Sequence, residues 1–171
     1  MKKNYILFIA ATLDGYIATQ DHDLNWLMNV EGEGDNGYQA FYDTVDAVVM
    51  GRSTYDWIDH HIPNYPYPDV TSYIVTSHPL NNEDMIAIDN VDLLLKTIEA
   101  SEASNIWIIG GGQLITELIQ RNIIDTLRVT IAPILLGKGI RLFNEIDHMV
   151  ELELLKTTRY NQFVELYYKV K

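Results

Sequence analysis

Residues 106–114 read IWIIGGGQL, an apolar run of strand type that passes through three consecutive glycines straight into an amphipathic pattern. A buried strand that turns at once into a helix does not pair with its successor as a hairpin, so the chain must cross back over the sheet and arrive parallel. Residues 48–57, VVMGRSTYDW, repeat the arrangement with a single glycine. Apolar runs of strand length, rich in Val, Ile and Tyr, lie at 5–10, 47–50, 72–76, 106–109 and 127–132, and their continuity suits strands buried on both faces. Helical patterns separate them at 38–45, 53–58, 91–100 and 113–121. Val91, Leu94, Leu95 and Ile98 share one face of the third, with Asn90 placed as its N-cap. Leu114, Ile115, Leu118 and Ile119 form the buried stripe of the fourth. Strands alternating with helices predict a mainly parallel α/β sheet covered on both faces.

The C-terminal part changes period. Val150, Leu152 and Leu154 alternate with Glu151 and Glu153, and Val164, Leu166, Tyr168 and Val170 alternate again after a polar turn near residues 158–161. Period two on both sides of a turn predicts an antiparallel hairpin, which makes the sheet mixed rather than purely doubly wound.

At 171 residues, 47% of them hydrophobic, the chain suits one domain over residues 1–171, and no repeat or flexible linker divides it. Twelve Lys and Arg stand against 24 Asp and Glu, a formal charge of −12. That field opposes phosphate backbones and anionic lipid, so neither nucleic acid nor a membrane is expected as a partner. An anionic cofactor is left with local main-chain amides or a well-placed Arg. The absence of cysteine excludes disulfides, Cys-ligated zinc and thiol catalysis. The N-terminal lysines and apolar run imitate a signal peptide, but the run ends at residue 11 and Asp14 follows. It reads as a buried first strand, and a cytoplasmic location is expected.

The glycines at 110–112 are conformationally costly. They let a ligand approach the main chain and leave the N–H groups of the helix start aimed at an anion; the alternative is a tight strand-to-helix turn with no ligand. The spacing is neither the dinucleotide fingerprint G-x-G-x-x-G nor a P-loop. At the second unit, Arg52, Ser53, Thr54 and the helix-start amides are a second phosphate candidate, although an ordinary capped helix explains them too. Thr76 and Ser77 end a third strand with two hydroxyls. Ligands of open α/β sheets gather at the carboxyl ends of strands, where all three groups fall.

Together these segments resemble dihydrofolate reductase in order and approximate spacing: IAATLDGYI at 9–17, MGRSTY at 50–55, Thr76-Ser77 and IGGGQ at 109–113. TLDGYIA at 12–18 and APILLGKGIRLF at 132–143 look closer to the reductase domain of the riboflavin-biosynthesis protein RibD and its stand-alone relatives. The resemblance covers nearly the whole chain. It implies a dihydrofolate reductase-like three-layer α/β sandwich with a mixed, mainly parallel sheet and a C-terminal antiparallel hairpin. It also implies NADPH as cofactor and hydride transfer to a small heterocyclic substrate, most like that of 5-amino-6-(5-phosphoribosylamino)uracil reductase. By the same resemblance, Ala10, Ala11 and Ile17 line the nicotinamide pocket. Gly51, Arg52, Ser53 and Thr54 hold the pyrophosphate and 2′-phosphate region, with Thr76 and Ser77 near the adenosine end. Gly110 and Gly111 form a cis peptide, and Gly112, Gln113 and Leu114 continue the pyrophosphate site.

In dihydrofolate reductase a carboxylate on the helix before the MGR strand grips the substrate. Counting back from Gly51 without a gap reaches Asp35, the candidate catalytic acid, whereas matching Phe41 to the family's helix phenylalanine puts that place on Gly37. A helix N-cap is the other role open to Asp35. Two rival readings stand beside the pyrimidine reductase: a dihydrofolate or other pteridine reductase, and a nucleotide-binding protein of the same fold without catalysis. The HxE and PCxxC zinc signatures of a deaminase are absent from the sequence, so a bifunctional enzyme is not expected. His60 and His61 lack the spacing of a metal site and read as an exposed pair. The Pro/Tyr stretch at 62–69 reads as a connector, Trp26 and Tyr38 as core or stacking aromatics, and residues 136–140 as a glycine loop. The hairpin and the Tyr-rich loop permit a homodimer.

Overall fold

Alternate residues of the first strand point to opposite sides of a sheet, and in this chain both sides are apolar. The computed structural model describes residues 2–171. The elements are β1 (Asn4–Thr12), β2 (Tyr16–Ala18), α1 (Asn25–Met28), α2 (Tyr38–Tyr42), β3 (Ala47–Gly51), α3 (Arg52–His61), β4 (Thr71–Val75), β5 (Ile86–Ile88), α4 (Val91–Glu99), β6 (Asn105–Gly110), α5 (Gly112–Gln120), β7 (Thr126–Ala132), β8 (Ile140–Arg141), β9 (Leu152–Tyr160) and β10 (Phe163–Val170). Eight strands form one sheet in the order β5-β4-β3-β6-β1-β7-β10-β9, and β2 and β8 pair as a separate small ribbon. β5, β4, β3, β6, β1 and β7 run parallel, while β10 is antiparallel to both β7 and β9.

Two cores result, one on each face. Tyr5, Leu7, Ala47, Val49, Ile106 and Ile108 pack against α4 and α5, through Leu94, Ile98, Leu114, Ile115 and Leu118. Ile6, Val48, Met50, Ile74 and Trp107 pack against α2 and α3, through Phe41, Tyr55 and Ile58. Burying a Leu, Ile or Phe side chain contributes about 1.5–3 kcal/mol, so the covered central strands carry much of the stability. Asn90 caps α4 by accepting the Leu93 amide at 3.0 Å. No helix among the described residues is long and apolar enough to cross a membrane.

Several expectations need correction. The hairpin turn falls at Asn161 and Gln162, with Tyr160 and Phe163 already paired; Asn161 has φ of 55°, which asparagine tolerates well. The 38–45 helix stops at Tyr42 and gives way to turns. The short strands β2, β5 and β8 and the helix α1 carry no periodic run that would announce them. The apolar alternation of the hairpin does not mark its buried side: Leu154 is 54% exposed on the outer strand β9, and on β10 Val164 is exposed while Glu165 is buried. β9 is the sheet edge, and β10 lies between β7 and β9, where Glu165 meets Arg128 of β7, whose guanidinium in turn lies over Phe41 of α2.

Candidate functional site

At the carboxyl ends of β1, β3 and β6 lies a cleft of about 650 Å³, within the ordinary range for small-molecule sites. Its floor is built by two strand-to-helix turns. β3 runs through Gly51 into α3, and β6 runs through Gly110 and Gly111 into α5. Among the described residues no side chain caps either helix start, so the first amides of both are left for whatever fills the cleft. The turns touch: a Cβ on Gly51 would stand 4.0 Å from the Gly111 nitrogen, and one on Gly110 or Gly111 would stand 3.6 Å from the Thr54 hydroxyl. The Gly110-Gly111 peptide is cis.

The expected residues Ala10, Ile17, Gly51, Arg52, Ser53, Thr54, Gly110, Gly111, Gly112, Gln113 and Leu114 all line this cleft. Ala11, Thr76 and Ser77 do not. Consecutive residues of β1 point to opposite faces, so Ala10 reaches the cleft while Ala11 is fully buried in the α4/α5 core. Thr76 is buried and accepts the His78 amide at 3.1 Å, and Ser77 is exposed beyond the end of β4. Gly112 has a packing reason of its own, since a Cβ there would collide with the Arg141 carbonyl oxygen. The third glycine therefore needs no ligand to explain it.

Asp35 stands outside the cleft wall. Its carboxylate accepts the amides of Gly37 at 2.9 Å and Gln39 at 2.8 Å, capping the start of α2. The Gln39 amide, joined by that of Gly37 and opposed by partial desolvation, holds its carboxyl below the usual range. Arg52 is held by Asp56, Nε to Oδ1 at 2.7 Å, and donates to the Pro79 carbonyl at 3.3 Å. Glu117 is the one carboxylate in the cleft wall among the described residues, and Arg121 on the same helix pairs with it at 3.3 Å.

Away from the glycine turns the lining is mainly apolar, with His22 and the Tyr67 hydroxyl as its polar groups. Leu24 and Leu27 from α1 and its lead-in, Trp57 and Ile58 from α3, and Ile62 and Tyr67 from the Pro/Tyr stretch close that end. Sequence reasoning missed these, although the i, i+3 pair Leu24/Leu27 was a signal. The stretch at 62–69 is thus part of the wall as well as a connector, and Tyr65 ties it to β4 through Ser72 at 2.7 Å. Burial pushes the Tyr67 hydroxyl well above its ordinary pKa, so it stays protonated. Tyr38 stacks on Tyr42 and meets Trp107 edge-on, as core. His60 and His61 lie in the last turn of α3, each with Nδ1 against the backbone carbonyl four residues before it.

Asp14 fastens the remaining wall. One oxygen accepts the Thr12 hydroxyl at 2.6 Å and the Leu136 amide at 3.1 Å, and the other accepts the Gly137 amide at 2.7 Å. The Thr12 hydroxyl is the largest cause that lowers its pKa, and the two amides add to it against desolvation. This clamp joins the TLDG turn to the loop after β7 and steadies the β2/β8 ribbon, whose Ile17, Ala18 and Ile140 face the cleft.

Residues 4–166 match the family model of the RibD C-terminal domain, and the chain belongs to that family. It is 39% identical over 171 residues to the uncharacterized protein YwjB of Bacillus subtilis (strain 168), covering 98% of each. It is 27% identical over 152 residues to the riboflavin biosynthesis protein RibD of Corynebacterium ammoniagenes, covering 78% of this chain and 44% of that one. A candidate riboflavin biosynthesis protein of Shewanella sp. PV-4 superposes with a TM-score of 0.89 at 29% identity, covering 98% of this chain and 99% of that one. Dihydrofolate reductase of Enterococcus faecalis, solved in complex with NADP(H), gives 0.68 at 20% identity with 98% and 96% covered, which establishes the shared fold.

Proposed function

We propose that the protein is an NADPH-dependent reductase that delivers hydride to a small heterocyclic substrate, most like 5-amino-6-(5-phosphoribosylamino)uracil. The observation that carries this reading is the meeting of two uncapped helix starts, α3 and α5, across Gly51 and Gly111 in one cleft. A surface of formal charge −12 attracts no anion in bulk. Main-chain amides paired with close backbone approach are the local chemistry that suits a pyrophosphate, and the residues present fit a dinucleotide.

The amides at the starts of α3 and α5, with the Ser53 and Thr54 hydroxyls, hold phosphate oxygens, and Arg52 offers charge to a further phosphate. Ala10, Ile17 and Ile140 give a flat ring a dry wall and exclude water there. Bound NADPH supplies the hydride. The Leu24, Leu27, Trp57 and Ile62 end takes the second, apolar-faced ring. The test follows NADPH absorbance with 5-amino-6-(5-phosphoribosylamino)uracil and, for comparison, dihydrofolate. Turnover of the first supports the reading. Turnover of dihydrofolate alone reassigns the substrate, and cofactor binding without turnover of either makes the protein a binder.

A further inference from the structure

Reduction of a C=N bond needs a proton on nitrogen as well as hydride on carbon, and a nicotinamide supplies only the hydride. The cleft wall narrows the choice of donor. Its titratable side chains among the described residues are His22, Arg52, Tyr67 and Glu117. Arg52 is held by Asp56, and an arginine keeps its proton near neutral pH. Burial drives the Tyr67 hydroxyl to a pKa too high for an efficient acid. Glu117 is engaged by Arg121 on its own helix. His22 is left.

The other four histidines have work elsewhere. Nδ1 of His60 and of His61 meets a helix carbonyl, that of His78 the Ser77 hydroxyl and that of His148 the Asp147 carboxylate. The His22 ring makes no hydrogen bond among the described residues, and of the five it alone lines the cleft. Its backbone has φ of 62°, the left-handed region that few residues enter and that persists where neighbouring bonds enforce it. Thr19 does so here: its carbonyl accepts the His22 amide at 3.0 Å, its hydroxyl accepts the Asp23 amide at 2.9 Å, and its own amide donates to the Asp23 carbonyl at 3.1 Å. The closed loop grows straight out of β2, which is paired to β8. In chain order His22 falls between Ile17 and Ala18 of the wall beside Ala10 and Leu24 and Leu27 of the mainly apolar end, all of them lining the cleft. Of the acids that flank it, Asp23 spends both oxygens on Asn25, at 2.6 and 2.7 Å, and Asp21 does not line the cleft.

We propose that His22 is the general acid of the reduction, its protonated imidazole giving an N–H proton to the nitrogen of the C=N bond that is reduced. The open-chain form of a ribosylamine holds such a bond. The carbon gains a C–H bond with the hydride electron pair, the π pair moves to nitrogen and forms the new N–H bond, and the ring is left neutral. The nicotinamide is oxidised and the imine becomes an amine. Solvent returns the proton to the ring, since His22 is exposed. The inference rests on the reductase reading of the cleft and adds the proton donor to it.

Histidine is the side chain whose ordinary titration falls between about pH 5 and 8, so an acid of this type loses rate as pH rises through that span. His22→Asn removes the titrating ring and keeps a residue that tolerates the left-handed backbone, so its Tm should stay with the parent's. With NADPH and 5-amino-6-(5-phosphoribosylamino)uracil, its kcat should fall roughly 100-fold or more and lose the alkaline decline, while KM and NADPH affinity stay within about twofold. A second readout needs no turnover: the ring Cε1–H proton resonance of His22, identified by its loss in the variant, should shift when NADP⁺ saturates the parent. A variant kcat within about threefold of the parent's, an unchanged pH profile, or a His22 resonance indifferent to NADP⁺ overturns the assignment. A parent that fails to bind NADPH, or that turns over neither this substrate nor dihydrofolate, refutes the reductase reading and the proton donor with it. That failure shows in the parent before any substitution, which separates the two.

Discussion

Replacing Gly112 by alanine tests whether packing, rather than a ligand, demands the last glycine of the triplet. A Cβ there collides with the Arg141 carbonyl oxygen and stands 3.4 Å from the Arg141 carbonyl carbon and 3.6 Å from the Leu142 carbonyl oxygen. All three atoms are main chain, so no side-chain rotation relieves the overlap; either β8 or the first turn of α5 must move. Overpacking of this kind costs ~1–3 kcal/mol. Each kcal/mol moves Tm by about 2–4 °C in a chain of this size, so Gly112→Ala should melt about 2–12 °C below the parent. β8 is paired to β2 by two residues and carries Ile140 in the cleft wall, so NADPH affinity should fall with it. Gly51→Ala is the control: its Cβ meets nothing nearer than 4.0 Å and its φ is −77°, so its Tm should fall less while its added methyl obstructs the phosphate cradle. Thermal unfolding by circular dichroism, with and without NADPH, reads both. A Gly112→Ala protein melting within about a degree of the parent would refute the packing argument.

Arg52→Ala should weaken NADPH about tenfold and leave NADH within about twofold, as expected for a charge-assisted contact to the 2′-phosphate. Equal NADPH affinities in variant and parent would remove Arg52 from that role. Asp14 has a lowered folded-state pKa, so its contribution is present above the ordinary value of about 4 and is lost as pH falls through the folded value. The Tm gap between the parent and Asp14→Asn should therefore be open near neutral pH and close in acid; a gap independent of pH contradicts the clamp. Asp35→Ala should lower Tm by loss of the α2 cap while leaving NADPH and substrate KM unchanged, and a rise in KM alone would return Asp35 to the site.

Periodicity made the layers readable. Continuous apolar runs of strand length, rich in Val and Ile, suit strands covered on both faces, and the stripe through Leu114, Leu118 and their neighbours marked the inner side of α5. The glycine turns and the MGRST segment were legible for the same reason, as strand ends that open helices. The expected site and the cleft lining part where backbone alternation decides, as at Ala11, and where a hydroxyl serves its own turn, as at Thr76. Asp35 was ambiguous because a carboxylate just before a helix looks the same whether it caps amides or grips a ligand. Glu165 was hidden among Val164, Leu166 and Tyr168, since a charge alternating with apolar residues reads as solvent-facing. It is buried on β10 between β7 and β9, against Arg128, which lies over Phe41 of α2. The mainly apolar end of the cleft gathers residues from α1, α3 and the 62–69 stretch, a convergence that no local pattern encodes.

The most direct measurement is a calorimetric titration of the whole chain with NADPH, repeated on Gly51→Ala. The account predicts saturable binding at one site per chain in the parent and a clear loss of affinity in the variant, with both proteins folded. Absence of saturable heat with NADPH and with NADP⁺ in the folded parent would contradict it, because the amides of α3 and α5 would then have no dinucleotide to hold.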